Sequence, residues 1–373
     1  MKINAAVLNE AGQKLELEEL VLDEPKKDEV LIKTVASGIC HSDIEFQASG
    51  FAGGIPTVLG HEGAGIVEAV GPNVTTFKKG DHVAVGFAYD GTCKFCRNGL
   101  PGSCENFNQL NTSGGPMRDG TYRLHTQDNQ NVGNFFGQSS FADHMVANVN
   151  NLVKVPEDLD LRLAGPLGCG YMTGAGTVLN ALKPEVHSNL VVLGAGSVGL
   201  AAIMGAAVSG CKHIIAVDQY DERLAMAKKF GATDVINNQK VDIVEEINRI
   251  VGSAGLNYAV DTTGEPEVMK AGLAALTIKG QFAVVAMGTK TIDKINPMID
   301  ILTFSKTVTG IIEGDSVPQE FIPEMIDLYR AGKFPIDKIA KFYKPAQINQ
   351  AIADSLAGTT IKPIIVFDEQ YQA

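Results

Sequence analysis

The stretch Leu190-Val191-Val192-Leu193-Gly194-Ala195-Gly196-Ser197-Val198-Gly199-Leu200 decides how this chain folds. Its four leading apolar residues read as a buried strand, and 197–209 reads as a helix. Between them stands G-x-G-x-x-G. Gly194 permits a tight turn, Gly196 lets a pyrophosphate approach the backbone, and Gly199 lets helix and strand pack closely. Free N–H groups and the dipole at the helix start then favour phosphates. Asp218 ends the next strand, 213–217, and lies 19 residues after Gly199, where the fingerprint asks for an acid about 20 residues on. A carboxylate there accepts hydrogen bonds from a ribose 2′-hydroxyl and repels a 2′-phosphate, which favours NAD over NADP.

The same grammar continues downstream. Helices are expected over 221–230 and 241–251, and strands over 258–260 and 282–286. Strands alternating with helices mean βαβ units and a parallel sheet. Upstream the pattern differs. Short apolar runs at 30–35, 65–70 and 83–85 are punctuated by Gly71-Pro72-Asn73 and Lys79-Gly80-Asp81. Regular turn signals between short strands predict an antiparallel sheet or barrel in 1–150. Residues 105–140, rich in Asn, Gln, Gly and Ser, read as a long loop excursion, and such loops often carry function. From 313 the chain offers helices at 323–331 and 348–355 and a last strand at 361–367. That is too little for a third domain, so it is expected to return to the first.

Composition narrows the class. A chain of 373 residues with 45% hydrophobic and 20% charged residues is a folded protein of two or three domains. Its net charge of −12 repels phosphate backbones and argues against nucleic acid as a partner. Six cysteines are too few for a disulfide scaffold and suit a reducing cytosol. Two uncharged stretches, 163–182 and 188–211, reach the ~20 residues of a membrane helix. Each contains five glycines, and the first contains Pro166, so neither is expected to span. The first ten residues lack the apolar core of a signal peptide. The expectation is a cytoplasmic protein without membrane partners.

Two groups of metal-type side chains remain. Asp90, Cys93, Cys96 and Cys104 follow D-x2-C-x2-C-x7-C. Four ligands on one short lobe describe a closed, structural zinc site. The alternative is a metal-free reduced loop, and Asp90 is the weak member because thiolate suits zinc better than carboxylate does. The second group, Cys40, His61, Glu62 and Cys169, is dispersed. Two thiolates and an imidazole with an open fourth place make a catalytic zinc set, but spacing alone leaves buried inert cysteines and a core histidine equally open. Cys211 reads as packing.

Taken together, Gly60-His61-Glu62-x-x-Gly65-x5-Gly71-x-x-Val74, Cys40-His41-Ser42-Asp43, the cysteine lobe, Cys169-x3-Thr173, the glycine fingerprint and Asp218 resemble the zinc-dependent medium-chain alcohol dehydrogenases. Order and gaps match from about residue 5 to 368. The runs 135–142 and 167–176 look most like the aryl (benzyl) alcohol dehydrogenase branch. The resemblance implies an α/β plus β chain: a GroES-like β-rich catalytic domain over 1–170, a Rossmann doubly wound parallel sheet over 171–312, and a return segment, 313–373, completing the first domain.

Residue by residue, it implies that Cys40, His61 and Cys169 hold a catalytic zinc, with Glu62 near the metal and Asp43 orienting His61. Ser42 takes the substrate's proton, His41 contacts the pyrophosphate, and Thr173 faces the nicotinamide. Arg223 and Lys362 stand near the cofactor's ribose and phosphates. Two zinc ions per chain and NAD are the expected cofactors, and a homodimer or homotetramer the expected assembly. Hydride passes between a primary alcohol and NAD in an interdomain cleft that excludes water, giving the aldehyde or the reverse. Two positions depart from the family. Glu45 replaces the histidine that ends the proton relay in liver-type members; it is either the terminal acceptor or, the favoured reading, a solvated acid while His41 or water carries the proton. Asp90 stands where most members have a cysteine. Phe87, Tyr89, Phe135 and Phe136 are candidate walls of an aromatic pocket, so the expected substrates are primary aromatic or allylic alcohols. The alternatives are a glutathione-dependent formaldehyde dehydrogenase and, less favoured, a zinc-free NAD(P)-binding relative of quinone reductases.

Overall fold

The computed structural model describes residues 1–51, 54–288 and 290–372. The chain divides into two units. One comprises Met1–Cys169, Val317–Ile326 and Ile336–Ala373, and the other Gly170–Ser316 and Asp327–Pro335.

The second unit is built outward from the glycine stretch. Strand Asn189–Leu193 is buried along its whole length, as a central parallel strand must be when helices cover both faces. Six parallel strands lie in the order Asp234–Asn237, His213–Asp218, Asn189–Leu193, Leu256–Asp261, Leu276–Val284, Thr307–Gly310. In chain order that is 3-2-1-4-5-6, the dinucleotide-binding arrangement, whose switch point falls beside the first strand. Helix Ser197–Ser209 is apolar almost all round and ends at Gly210 with φ 76°, a left-handed stop that favours glycine. Helix Ile243–Val251 is capped by Asp242 and buries Ile243, Ile247 and Val251, a single stripe. The uncharged stretch 163–182 becomes a 3₁₀ turn Gly165–Gly168, helix Gly170–Gly176 and a wide turn Thr177–Leu182. Among the described residues no helix is long and apolar enough to cross a membrane.

The first unit holds two sheets. Five antiparallel strands run Thr57–Val58, Lys2–Leu8, Glu16–Leu22, Leu124–His125, Asn131–Val132. The second sheet is organised on Glu29–Gly38, which pairs antiparallel with Glu62–Val70 along one edge. Its other edge is shared by His144–Asn148 and Lys362–Val366. Val30, Ile32, Val67, Val83, Val85, Met145, Ala147 and Leu152 form its core.

Three expectations are corrected. The excursion 105–140 is not all loop: it carries helix Phe107–Asn111 and the two short strands that extend the five-stranded sheet. Asn111, fully buried, ties it down by bonding both backbone groups of Ala88. The C-terminal helix begins at Pro318, not Pro323, and runs to Arg330 with Pro323 inside it. Both prolines suit an early helical position, so the sequence did not discriminate between them. Finally, the return segment is divided: 313–316 and Asp327–Pro335 cluster with the parallel-sheet unit.

Candidate metal and cofactor sites

Local register gathers the dispersed set. Gly38 at the end of one strand pairs with Glu62 at the start of its neighbour. Cys40 follows the first as N-cap of helix His41–Ser49, and His61 precedes the second. Cys169 leaves the 3₁₀ turn Gly165–Gly168. A Cβ on Gly165 would stand 2.0 Å from the Glu62 carbonyl oxygen, so only glycine lets that turn approach the strand. The ligand atoms of Cys40, His61 and Cys169 then lie within 4.8 Å of one another.

Asp43, buried, fixes the histidine. Its Oδ1 accepts from His61 Nδ1 and from the Gly60 N–H, both at 3.0 Å, while Oδ2 accepts from the Cys40 N–H at 2.8 Å. The other ring nitrogen, Nε2, is buried without a hydrogen-bond partner. Burial disfavours a charged ring, yet the Asp43 carboxylate holds His61 well above its ordinary value. A hydrogen bond with Cys169 and the neighbouring His61 draw the Cys40 thiol well below its own, against burial. Two sulfurs, one orphaned imidazole nitrogen and local negative charge fit a divalent cation of zinc's softness. Asp43→Asn should weaken zinc binding at this site about 10- to 100-fold, because the amide sets an N–H against a backbone donor. Chelator competition measures this, and an unchanged affinity would remove Asp43 from the site.

Glu62 and Lys362 call for a correction. Lys362, expected beside the cofactor, is 1% exposed and Glu62 is fully buried. Nζ donates to both Glu62 carboxylate oxygens at 2.9 and 2.8 Å and to the Ile39 carbonyl at 3.2 Å. Burial works against the ammonium, and Glu62 overrides it, holding Lys362 above its ordinary value. Within its unit Lys362 is the counter-ion of Glu62, and Glu62 stands outside the three-ligand cluster.

On the helix after Cys40, Ser42 Oγ lies 3.9 Å from the Cys40 sulfur. His41 Nε2 and Glu45 Oε1 pair at 3.1 Å on an exposed face. Glu45 is thus neither alone in solvent nor detached from His41.

The sequence did not reveal what surrounds His61. Phe136 stacks on its ring at 4.4 Å between centroids, and Phe135 meets it edge-on at 5.3 Å. Phe46 and Phe51 stack on each other and close on Phe135. Phe87 and Tyr89 instead meet at a tilt of 50°, and Phe87 leans on Phe107, which in turn meets Phe136 edge-on. Gln138, buried, accepts from the Gly63 N–H and donates to the carbonyls of His61 and Gly86. It crosslinks the ligand strand to its neighbour. Run 135–142 stood out only by resemblance.

In the cysteine lobe the ligand atoms of Asp90, Cys93, Cys96 and Cys104 also gather within 4.8 Å. Asp90 Oδ1 accepts from the N–H groups of Thr92 and Cys93, and Oδ2 from the Asn106 amide. Burial opposes ionisation, but these donors hold the carboxyl far below the usual range. Burial and Cys93 push the Cys96 thiol up to about 12. The lobe therefore binds a metal only by releasing thiol protons.

In the parallel-sheet unit the three glycines differ in backbone conformation and in the room around them. Gly194 has φ 94°. A Cβ on Gly199 would stand 1.9 Å from the Gly194 oxygen, whereas one on Gly196 would meet nothing within 4 Å. The open face is thus at the second glycine, as pyrophosphate binding needs. Asp218 Oδ2 accepts from the Ala195 N–H at 2.8 Å and Oδ1 from the Tyr220 N–H at 2.9 Å, so the acid braces the glycine turn. Arg223 lies 3.9 Å from Asp218 and over the Tyr220 ring. Thr173 Oγ1 donates to Glu313 Oε2 at 3.3 Å.

Comparison with known proteins agrees with this architecture. Residues 26–157 match the alcohol dehydrogenase GroES-like domain and 197–331 the zinc-binding dehydrogenase family. Geraniol dehydrogenase of Castellaniella defragrans is 40% identical over 364 residues, 97% of each chain. The crystal structure of benzyl alcohol dehydrogenase from Acinetobacter calcoaceticus superposes with a TM-score of 0.92 at 44% identity, covering 98% of this chain and 99% of that one. An alcohol dehydrogenase zinc-binding domain protein from Burkholderia ambifaria gives 0.93, also at 44% identity, with coverage of 98% and 99%. The chain belongs to the zinc-dependent medium-chain alcohol dehydrogenases, oxidoreductases that work with zinc and a nicotinamide cofactor on small alcohols.

Proposed function

We propose that this protein oxidises primary aromatic or allylic alcohols to aldehydes, and runs the reverse, with NAD as hydride carrier. The carrying observation is the convergence of Cys40, His61 and Cys169, with His61 Nε2 buried and unbonded. Relatives named for geraniol and for benzyl alcohol support the substrate class, since both alcohols carry unsaturation next to the carbinol carbon.

When bound, zinc supplies Lewis acidity at the alcohol oxygen and the nicotinamide supplies the hydride acceptor. Cys40, His61 and Cys169 hold the metal, three protein donors being the catalytic number. Asp43 fixes the histidine through Nδ1. Ser42 receives the alcohol's proton, and the exposed His41–Glu45 pair takes it to solvent. Phe135 and Phe136 make an apolar wall beside His61, where flat substrates gain and water loses. Asp90, Cys93, Cys96 and Cys104 hold a second, structural zinc. No disulfide joins any two of the six described cysteines, in keeping with a cytoplasmic location. Association as a dimer or tetramer remains part of the proposal.

A glutathione adduct needs free cations for its carboxylates. Among 105–150, Arg123 is taken by Glu29 and Asp119, His125 by Asp23, and His144 by Asp143 and Glu68. That leaves Arg118, which favours the aromatic reading.

A kcat/KM series tests the proposal. Benzyl and allylic alcohols should exceed ethanol and S-hydroxymethylglutathione; either of these leading by tenfold would reverse the assignment. In the same assay Asp218→Gly should narrow the preference for NAD over NADP, and an unchanged ratio would remove Asp218 from cofactor choice.

A further inference from the structure

The turn Glu313–Asp315 is strained. Glu313, Gly314 and Asp315 all lie in the left-handed region, with φ of 52°, 66° and 47°. Glycine adopts this freely, but its two neighbours do not. Such a run persists only where its surroundings over-determine it, and such runs cluster at functional sites.

The surroundings here do so. A Cβ on Gly314 would stand 2.4 Å from the Met172 oxygen and 2.8 Å from Gly176 Cα, so the turn lies directly on helix Gly170–Gly176. Asn180 Nδ2 donates to Ser316 Oγ at 2.9 Å, and Ser316 Oγ donates to the Gly314 carbonyl at 3.1 Å. This bracing delivers one product: the Glu313 carboxyl, 6% exposed, set against the Thr173 hydroxyl. Thr173 is held from its other side, where its carbonyl accepts from Thr177 Oγ1 at 2.7 Å. A strained turn that sets a carboxyl against one helix residue points to a function at that residue.

We propose that Glu313 is a positioning residue for the nicotinamide: it fixes the Thr173 hydroxyl and sets a negative charge that favours the oxidised, cationic ring over the reduced, neutral one. The inference rests on the reading of Thr173 as a nicotinamide neighbour. A buried charge about 5 Å from the ring discriminates between the two redox states by roughly 10²-fold at an effective dielectric near 20.

The test is separate titration of zinc-loaded protein with NAD⁺ and with NADH, by calorimetry. Glu313→Gln keeps the shape and an acceptor for Thr173 while removing the charge. The ratio Kd(NAD⁺)/Kd(NADH) should rise by roughly 10²-fold. A ratio within twofold of wild type overturns the proposal, as does equal weakening of both forms, which a merely structural residue would give. Should Glu313→Gln fail to fold, Glu313→Asp keeps the charge but draws it back by one methylene; a two- to threefold rise supports the proposal and no rise overturns it. Wild-type protein that bound NADP⁺ and NADPH but neither NAD⁺ nor NADH would sink the NAD reading alone, and the effect of Glu313 would then be read on that pair.

Discussion

Cys169→Ala should lower alcohol turnover by roughly 10³-fold or more, since the Lewis acid supplies several kcal/mol of transition-state stabilisation. The reason is geometric. Cys169 is buried at the exit of a 3₁₀ turn, and that turn is held to the ligand strand by a glycine contact no side chain could make. Alanine keeps the backbone and removes one of the three donors. The remaining thiol and imidazole cannot fix the metal with an open place. Binding of NAD should stay within about twofold, because the glycine turn and Asp218 belong to the other unit. Steady-state kinetics and a cofactor titration on the same preparation separate the two effects. Turnover within tenfold of wild type would show that the metal chemistry lies elsewhere.

Lys362→Met should be the most damaging single change to stability. It strands the Glu62 carboxylate, fully buried, without its counter-ion. Breaking a buried pair from one side costs about 3–5 kcal/mol. In a unit of this size that lowers the melting temperature by roughly 10 °C. The double variant Glu62→Gln/Lys362→Met removes both charges and should recover most of the loss. Thermal melting of the three proteins decides: a double variant no better than the single would mean that lysine packing, not pairing, is what matters.

The legible parts of this molecule are the local ones. The strand, the glycine turn, helix Ser197–Ser209 and Asp218 sit within thirty residues, so periodicity and spacing find them without any tertiary knowledge. The cysteine lobe is legible for the same reason. Cys40, His61 and Cys169 are dispersed, and only the resemblance joined them; the register Gly38 with Glu62 that unites two of them leaves no mark in the sequence. Only the resemblance places Lys362 near the cofactor, and nothing in the residues that flank it says that its ion-pair partner lies 300 positions away. Phe46, Phe51 and Gln138 escaped for the same reason. The left-handed turn at Glu313 was equally hidden, since neither Glu nor Asp advertises positive φ.

The central claim is that Cys40, His61 and Cys169 hold zinc. X-ray absorption at the zinc edge tests it most directly, on a Cys93→Ser/Cys96→Ser variant whose lobe can no longer bind. About one zinc per chain should remain, with two sulfurs at about 2.3 Å and the rest nitrogen or oxygen at about 2.0–2.1 Å. A chain that retains no zinc, or zinc ringed only by nitrogen and oxygen, would contradict the account.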